Sequence, residues 1–351
     1  MSQHSLQTVR GMCEKRGDAL KETGDLILFL SDSREASSRM ALRNHTTNPE
    51  FVFTGLSDDP YVQPLLFVLF LGIYLQALMG NLTLLLLIRA SSRLHTPMYF
   101  FLSNPSFLDL CFSSVTVPKL LKDLLSEKKT ISVEGCLAQV FFVFLTAGNE
   151  ACLLSVMAYD RYASICHLLV YGQVMSNQLC VRLVLSLWGQ ASPNALVIVL
   201  LGVDLNFCDV HTTHHYTCEL PSLFPLSCSD VSMNVSILSF STVLLGLGNF
   251  LPIFLSYARI IRNTLSMSST TGRSKAFSTC SSHLMAVILF FGSGLIRYLM
   301  PPSGSSLDLL SSLQYSVITP MLNPLIYCLK NKEVKTAVRR SLEKYLQYLR
   351  W

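Results

Sequence analysis

Between about residue 60 and residue 330, long apolar blocks alternate with short polar ones. A bilayer core of roughly 30 Å is crossed by about 20 apolar residues rising 1.5 Å each, and seven blocks meet that length. They predict helices from Gln63 to Ile88, Pro97 to Leu121, Cys136 to Tyr159, Leu179 to Val203, Val231 to Tyr257, Phe277 to Met300 and Leu309 to Leu329. The predicted fold class is therefore an all-α membrane protein, a seven-transmembrane helix bundle. Past the last span, residues 331–349 set Val334, Ala337, Val338, Leu342 and Tyr345 at helical spacing among basic residues. This predicts a short amphipathic helix on the cytoplasmic leaflet. Three regions follow: an N-terminal tail over residues 1–59, a seven-span domain over 60–330 and a cytoplasmic tail over 331–351. No internal repeat of roughly 20–50 residues is visible, and seven spans do not halve, which argues against a repeat-built transporter.

Composition narrows the class. The chain of 351 residues is 50% hydrophobic and 14% charged, with a mean hydropathy of +0.43. Soluble domains carry about 25% charged residues, so a large soluble enzyme is excluded. A net charge of +5 is too small and too scattered for nucleic-acid binding, and its sign matters only through position. Arg89 and Arg93 follow the first span, Arg259, Arg262, Arg273 and Lys275 join the fifth to the sixth, and Lys330, Lys332, Lys335, Arg339, Arg340, Lys344 and Arg350 lie in the tail. The connection between spans four and five holds Asp204, Asp209, Glu219 and Asp230 with no Lys or Arg. The positive-inside rule then puts the N-terminus outside and the C-terminus in the cytosol of a multi-pass plasma-membrane protein. Lys119, Lys122, Lys128 and Lys129 dissent mildly, diluted by Asp123, Glu127 and Glu134. The first 43 residues show no signal-peptide core, because Leu26 to Leu30 is too short, so the first span is expected to direct its own insertion. Asn44-His45-Thr46 is a glycosylation sequon just outside that span, whereas Asn81-Leu82-Thr83 lies within it and should stay unmodified.

Chemistry-bearing residues are few. Cys136, Cys208, Cys218 and Cys228 fall on the outer side, where disulfides are favoured; four cysteines allow three pairings. Cys111, Cys152, Cys280 and Cys328 read as small apolar fillers. Asp109 in the second span and Glu150 in the third reach one depth, each about 11 residues or roughly 17 Å from the cytosolic end. Asn81 and Asn323 sit a little lower. Such a cluster is either a cation or proton site coupled to helix motion or a hydrogen-bond network holding helices together. Asp160-Arg161-Tyr162 closes the third span with an ion pair that helix movement could break, and Pro324 in Asn323-Pro324-Leu325-Ile326-Tyr327 permits a kink in the seventh. In the outer half, Phe141, Phe142, Val143, Phe144, Ala147 and Gly148 face the sixth span's Leu289, Phe290, Phe291, Leu295 and Tyr298 as apolar walls. They suit a small hydrophobic ligand, or they simply meet lipid and neighbouring helices. His211, His214 and His215 could bind a borderline metal, although clustered loop histidines are usually just solvated. No nucleophile with a positioned base, no phosphate-binding glycine loop and no paired carboxylates at hydrolase spacing can be assembled, so no enzyme is expected.

Taken in order, the motifs resemble the odorant (olfactory) receptors, a branch of the rhodopsin-like G-protein-coupled receptors. The resemblance runs from about Asn44 to the tail. It rests on Gly80-Asn81, on Leu94-His95-Thr96-Pro97-Met98-Tyr99-Phe100-Phe101-Leu102-Ser103-Asn104, and on Met157-Ala158-Tyr159-Asp160-Arg161-Tyr162 with Ile165-Cys166. Ser256-Tyr257, Lys275-Ala276-Phe277-Ser278-Thr279-Cys280 with Ser282-His283-Leu284, and Pro320-Met321-Leu322-Asn323-Pro324-Leu325-Ile326-Tyr327 complete it. The resemblance implies a receptor for small, mainly hydrophobic odorants that activates a stimulatory olfactory G protein and raises cAMP, in contact with membrane lipid. It implies a pocket of Val143, Phe144, Ala147, Gly148, Ser241, Leu245, Phe291, Leu295 and Tyr298. It further implies disulfides Cys136 to Cys218 and Cys208 to Cys228, and an inner ion site at Asp109 and Glu150 that could hold sodium, with no other cofactor. Asp160, Arg161, Tyr162, Tyr257, Asn323, Pro324 and Tyr327 are implied as the G-protein switch. The seventh span has no lysine for a retinal Schiff base, and Val143 stands where amine receptors place an aspartate, which favours neutral volatiles. Three departures stand out: Leu168 where the family's His-Pro-Leu has proline, Val170 for an arginine, and Pro105 for a leucine. Arg297 beside Tyr298 is also unusual, and the extension over residues 1–43 has no counterpart in typical members. A poorly functional or degenerate receptor that folds poorly and signals little, or an ion channel or transporter using Asp109 and Glu150, are the rival readings.

Overall fold

The computed structural model describes residues 50–57, 59–203, 205–207, 212–213, 215–299, 306–330 and 332–348. Asn44 and the 1–43 extension lie outside them. A strand, β1 (Glu50–Phe53), leads into α1 (Val62–Ala90), α2 (Pro97–Leu124), β2 (Thr130–Ser132), α3 (Val133–Cys166) and α4 (Asn177–Val203). After β3 (Thr212–Thr213) come α5 (Ser232–Ser266) and α6 (Thr270–Leu299), then α7 (Ser306–Leu313), a π turn over Gln314–Ile318, α8 (Thr319–Lys330) and α9 (Lys332–Tyr348). The sequence therefore yields seven spans, with α7, the π turn and α8 together making the last.

Among the described residues, α1, α3, α4, α5 and α6 (over Thr270–Gly294) are long and apolar enough to cross a membrane by length and composition. The second and seventh spans depart from that pattern for visible reasons. α2 carries Asp109, Lys119, Lys122 and Asp123, and the π turn divides the seventh span into two shorter helices. Local chemistry sets several starts. Pro97 begins α2 from an extended Thr96, where its missing N–H costs nothing, and Ser132 Oγ accepts from Gly135 N at 3.2 Å to cap α3.

α3 is the central post, touching α2, α4, α5 and α6. In lipid the hydrophobic effect does not draw helices together, so close approach over small residues must do more. A side chain on Gly80 of α1 would stand 2.8 Å from Pro324 of α8, and one on Gly148 of α3 would stand 3.3 Å from Ala191 of α4. The first contact leaves no room for a Cβ, and the second would need a few tenths of an ångström of give.

At the end of the bundle where α2 stops and α3 starts, a small sheet in the order β2-β1-β3 accompanies the all-α bundle. β1 runs antiparallel to β2, with Glu50 opposite Ser132 and Val52 opposite Thr130, and parallel to β3, with Val52 opposite Thr212. Alternation buries Phe51 and Phe53 against Cys136, Ile198, Leu205 and Cys218. Gly55 takes the left-handed turn that follows, at φ 74°. Lys129 Nζ donates to the carbonyls of Thr54 and Ser57 at 3.1 and 3.3 Å, fastening the chain's approach to α1. At the opposite end, α9 buries Val334 and Ala337, and Tyr99 Oη at the start of α2 donates to Glu333 at 3.1 Å.

Candidate functional sites in the helix bundle

The equal depth of Asp109 and Glu150 becomes a direct link. Asn323 Nδ2 on α8 donates to Asp109 at 3.0 Å and to Glu150 at 3.4 Å, with all three side chains buried. Asn81 takes a different part. Its Nδ2 donates to the carbonyls of Ala77 at 3.0 Å and Pro320 at 2.9 Å, tying α1 to the carbonyl that Pro324 leaves without its helical donor. So two carboxyl groups share one amide, beside a helix whose regular bonding is interrupted.

Toward the α9 end of the bundle, Asp160 and Arg161 are buried and ion-paired. The other oxygen of Asp160 accepts from Tyr171 Oη at 2.7 Å, on the short helix Tyr171–Val174 that follows α3. Burial, with Asp160 against it, pushes the Tyr171 phenol well above its ordinary value, so it remains a donor. Tyr162 pairs with His167 at 2.9 Å, and the Arg259 guanidinium lies 5.7 Å from its ring centre. A second polar joint crosses three helices. A carbonyl only accepts, so His283 Nε2 must donate to Leu154 of α3, at 3.0 Å. That leaves Nδ1 to accept from Tyr257 Oη of α5 at 2.7 Å. Tyr327 is buried in the same apolar cluster. Tyr171 and His283 had no role assigned from sequence; the signal for His283 was a polar ring within an apolar span.

In the half nearer the sheet, Val143, Phe144, Ala147, Ser241, Leu245 and Phe291 are half-buried on α3, α5 and α6. Gly148 is turned to Ala191 on α4 and serves helix packing there. Ser241 Oγ donates to Asn194 Oδ1 at 2.6 Å, which ties α5 to α4. An aromatic series continues along α6: Phe250 meets Phe291 edge-on at 5.5 Å, Phe291 meets Phe290 at 5.1 Å, and Phe290 meets Tyr315 at 6.4 Å. Tyr315 Oη donates to the Val143 carbonyl at 3.3 Å, joining the seventh span to α3. The side chains of Leu295, Arg297 and Tyr298 lie outside the described set.

The loop after α4 dips into this half. Cys218 is bonded to Cys136 at the start of α3, with Cα atoms 5.2 Å apart. Cys228 is disulfide-bonded as well, while Cys208 falls outside the described residues. Gln139 Oε1 on α3 accepts from Thr217 Oγ1 at 3.1 Å and from Cys218 N at 3.0 Å, so amide and disulfide hold the loop together. His215 is not a solvated loop residue: it is 2% exposed and stacked on Tyr216. His211 and His214 lie outside the described residues, and no group of three metal-ligating side chains occurs among those described.

Comparison with known proteins shows the family. The family model described as olfactory receptor matches residues 70–345. The chain is 65% identical over 296 residues to olfactory receptor 8S1 of Homo sapiens, covering 84% of this chain and 82% of that protein. It is 45% identical over 310 residues to olfactory receptor 5F1 of Homo sapiens, covering 87% and 98%. It is 43% identical over 301 residues to the olfactory receptor-like protein OLF4 of Canis lupus familiaris, covering 85% and 97%.

Proposed function

The chain belongs to the olfactory receptors, a non-enzymatic family of rhodopsin-like, multi-pass G-protein-coupled receptors, and from that premise we propose that it detects small, mainly hydrophobic odorants and activates a stimulatory olfactory G protein to raise cAMP. The odorant is taken up by Val143, Phe144, Ala147, Ser241, Leu245 and Phe291, with Leu295 and Tyr298, in the half of the bundle that faces outward. That half offers aromatic edges and few hydroxyls, so affinity comes from apolar area and shape. The N-terminus is extracellular and the tail with α9 lies at the cytosolic leaflet, where the basic residues cluster.

The observation that carries this reading is the condition of Arg161: buried, ion-paired to Asp160, and backed by Tyr171 on the same carboxylate. A paired arginine at a helix end is a latch with two states. Ligand contact at α3 and α6 favours the state in which α6 moves out and Arg161 turns to the G protein, and the Tyr257–His283–Leu154 joint is the part of the bundle that such a movement must rearrange. Asp109 and Glu150, bridged by the Asn323 amide, offer carboxylate oxygens of the kind a hard cation such as sodium takes, and they would hold such an ion as part of the resting bundle. Their enclosure supports a bound ion rather than a conducting path.

A cAMP screen of a chemically broad odorant panel tests the reading, in cells expressing the chain and with surface staining as control. At least one odorant is expected to raise cAMP, and Arg161→Ala is expected to abolish that response at unchanged surface level. Ion flux without a G protein would overturn the proposal.

A further inference from the structure

Tyr216 does something in this structure that neither the disulfide nor the odorant reading requires. It sits two residues before Cys218, yet its ring is carried off the loop and into the bundle, where it is 2% exposed. Phe70 of α1, Val117, Leu120 and Leu121 of α2, and Val317 of the π turn enclose it. At the far end of the ring, Tyr216 Oη lies 2.9 Å from Ser312 Oγ and 2.8 Å from Ser316 Oγ, both buried. Ser312 Oγ in turn donates to the Glu219 carboxylate.

The hydroxyl protons can be placed. A carboxylate and a backbone carbonyl only accept, so the Ser312 proton is committed to Glu219 and the Ser316 proton to the Ser312 carbonyl at 2.8 Å, which leaves the Tyr216 phenol to donate, its proton shared between the two serine oxygens. The phenol is thus read as a donor by two serine oxygens, with apolar walls around the ring. Apolar walls with a few convergent polar groups are what a small-molecule pocket consists of. Here the occupant belongs to the protein.

We infer that the space between α1, α2 and the seventh span is a second ligand subsite of phenol specificity, occupied by the receptor's own Tyr216. This deepens the receptor reading and rests on it for the consequence that odorants are confined to the α3, α5 and α6 side. While Tyr216 is in place, a ligand cannot extend toward Ser312 and Ser316 unless its own phenol replaces that ring.

The probe is p-cresol, which reproduces the tyrosine side chain from the β carbon outward, with toluene as the analogue lacking the hydroxyl. Thermal unfolding of purified full-length receptor is measured for the native chain, Tyr216→Ala and Tyr216→Phe. Tyr216→Ala is expected to melt lower, and p-cresol to raise its melting temperature by several degrees, toluene by clearly less. The native chain and Tyr216→Phe, whose rings still fill the space, should show no shift. Equal shifts in all three proteins, or none in folded Tyr216→Ala, would overturn the inference. Where Tyr216→Ala fails to reach the cell surface, growth in p-cresol is expected to restore surface staining, and failure to restore it would likewise overturn it. Neither readout uses cAMP, so silence in the odorant screen and failure of this test are separate results.

Discussion

Asp160 shows how much one side chain can decide. It is completely buried, and its two oxygens take donors from opposite directions, Arg161 on its own helix and Tyr171 beyond the helix end. A hydrogen bond to a charged group is worth about 1.5–3 kcal/mol, so losing one shifts a two-state latch by roughly tenfold or more. Tyr171→Phe removes only that donor and is expected to raise ligand-independent cAMP per receptor at the surface; an unchanged basal level would assign Tyr171 to packing alone. Pro105 and Leu168 are expected to act in the opposite sense. Pro105 is buried inside α2, which runs on through it, and a proline in a helix interior costs about 3 kcal/mol unless the missing bond is accommodated. Leu168 and Leu169 stand exposed just past α3, and Leu168 takes the place of the proline in the His-Pro-Leu pattern. The double change Pro105→Leu and Leu168→Pro is expected to raise surface level and maximal cAMP; no gain in either would acquit both positions.

At the scale of elements, each helix start is a small electrostatic problem. Before α5, Asp230 accepts from Ser232 N at 2.9 Å and from Ser232 Oγ at 2.6 Å, and these bonds hold its carboxyl below the ordinary carboxylate value. A depressed value contributes stability above the unfolded-state pKa, and that contribution is lost as pH falls through the folded-state one. Asp230→Asn is therefore expected to lower the melting temperature near neutral pH and to converge with the native chain in acid; a constant offset would rule the carboxylate out. Hydropathy made the helices legible because burial in lipid and burial in protein look alike in composition. It stopped short at α3, expected over Cys136 to Tyr159 but observed over Val133–Cys166, because the helix runs on through Asp160 and Arg161, whose burial is paid by each other. The strands were not legible at all. They are two to four residues long, and their partners are loops distant in sequence. Nor was the π turn, where Thr319 Oγ1 donates to the Gln314 carbonyl at 2.9 Å, since one added residue per turn leaves no mark on an apolar run. For the site, depth arithmetic brought Asp109 and Glu150 together, but nothing in the spacing said that Asn323 would bridge them while Asn81 turned to Pro320.

For the whole molecule, orientation follows from few charges, and it is directly testable. If the N-terminus is outside, Asn44 carries a glycan, and Asn44→Gln should abolish a glycosidase-sensitive mobility shift; a native chain without that shift would place the sequon beyond the lumenal enzyme's reach. The two ends of the bundle are finished differently. At one, α9 docks through Tyr99 and Glu333, elements joined by packing at the close of the chain. At the other, β1 has no partner of its own among its neighbours in sequence: it pairs with β2 after α2 and with β3 after α4. Contacts between distant segments form late, because the intervening chain must be made and placed first. β1 is therefore made before either of its partners. During synthesis β1 can meet β2 once α2 is made, but its pairing with β3 must wait for α4, so closure of this sheet would report that the first four helices are in place.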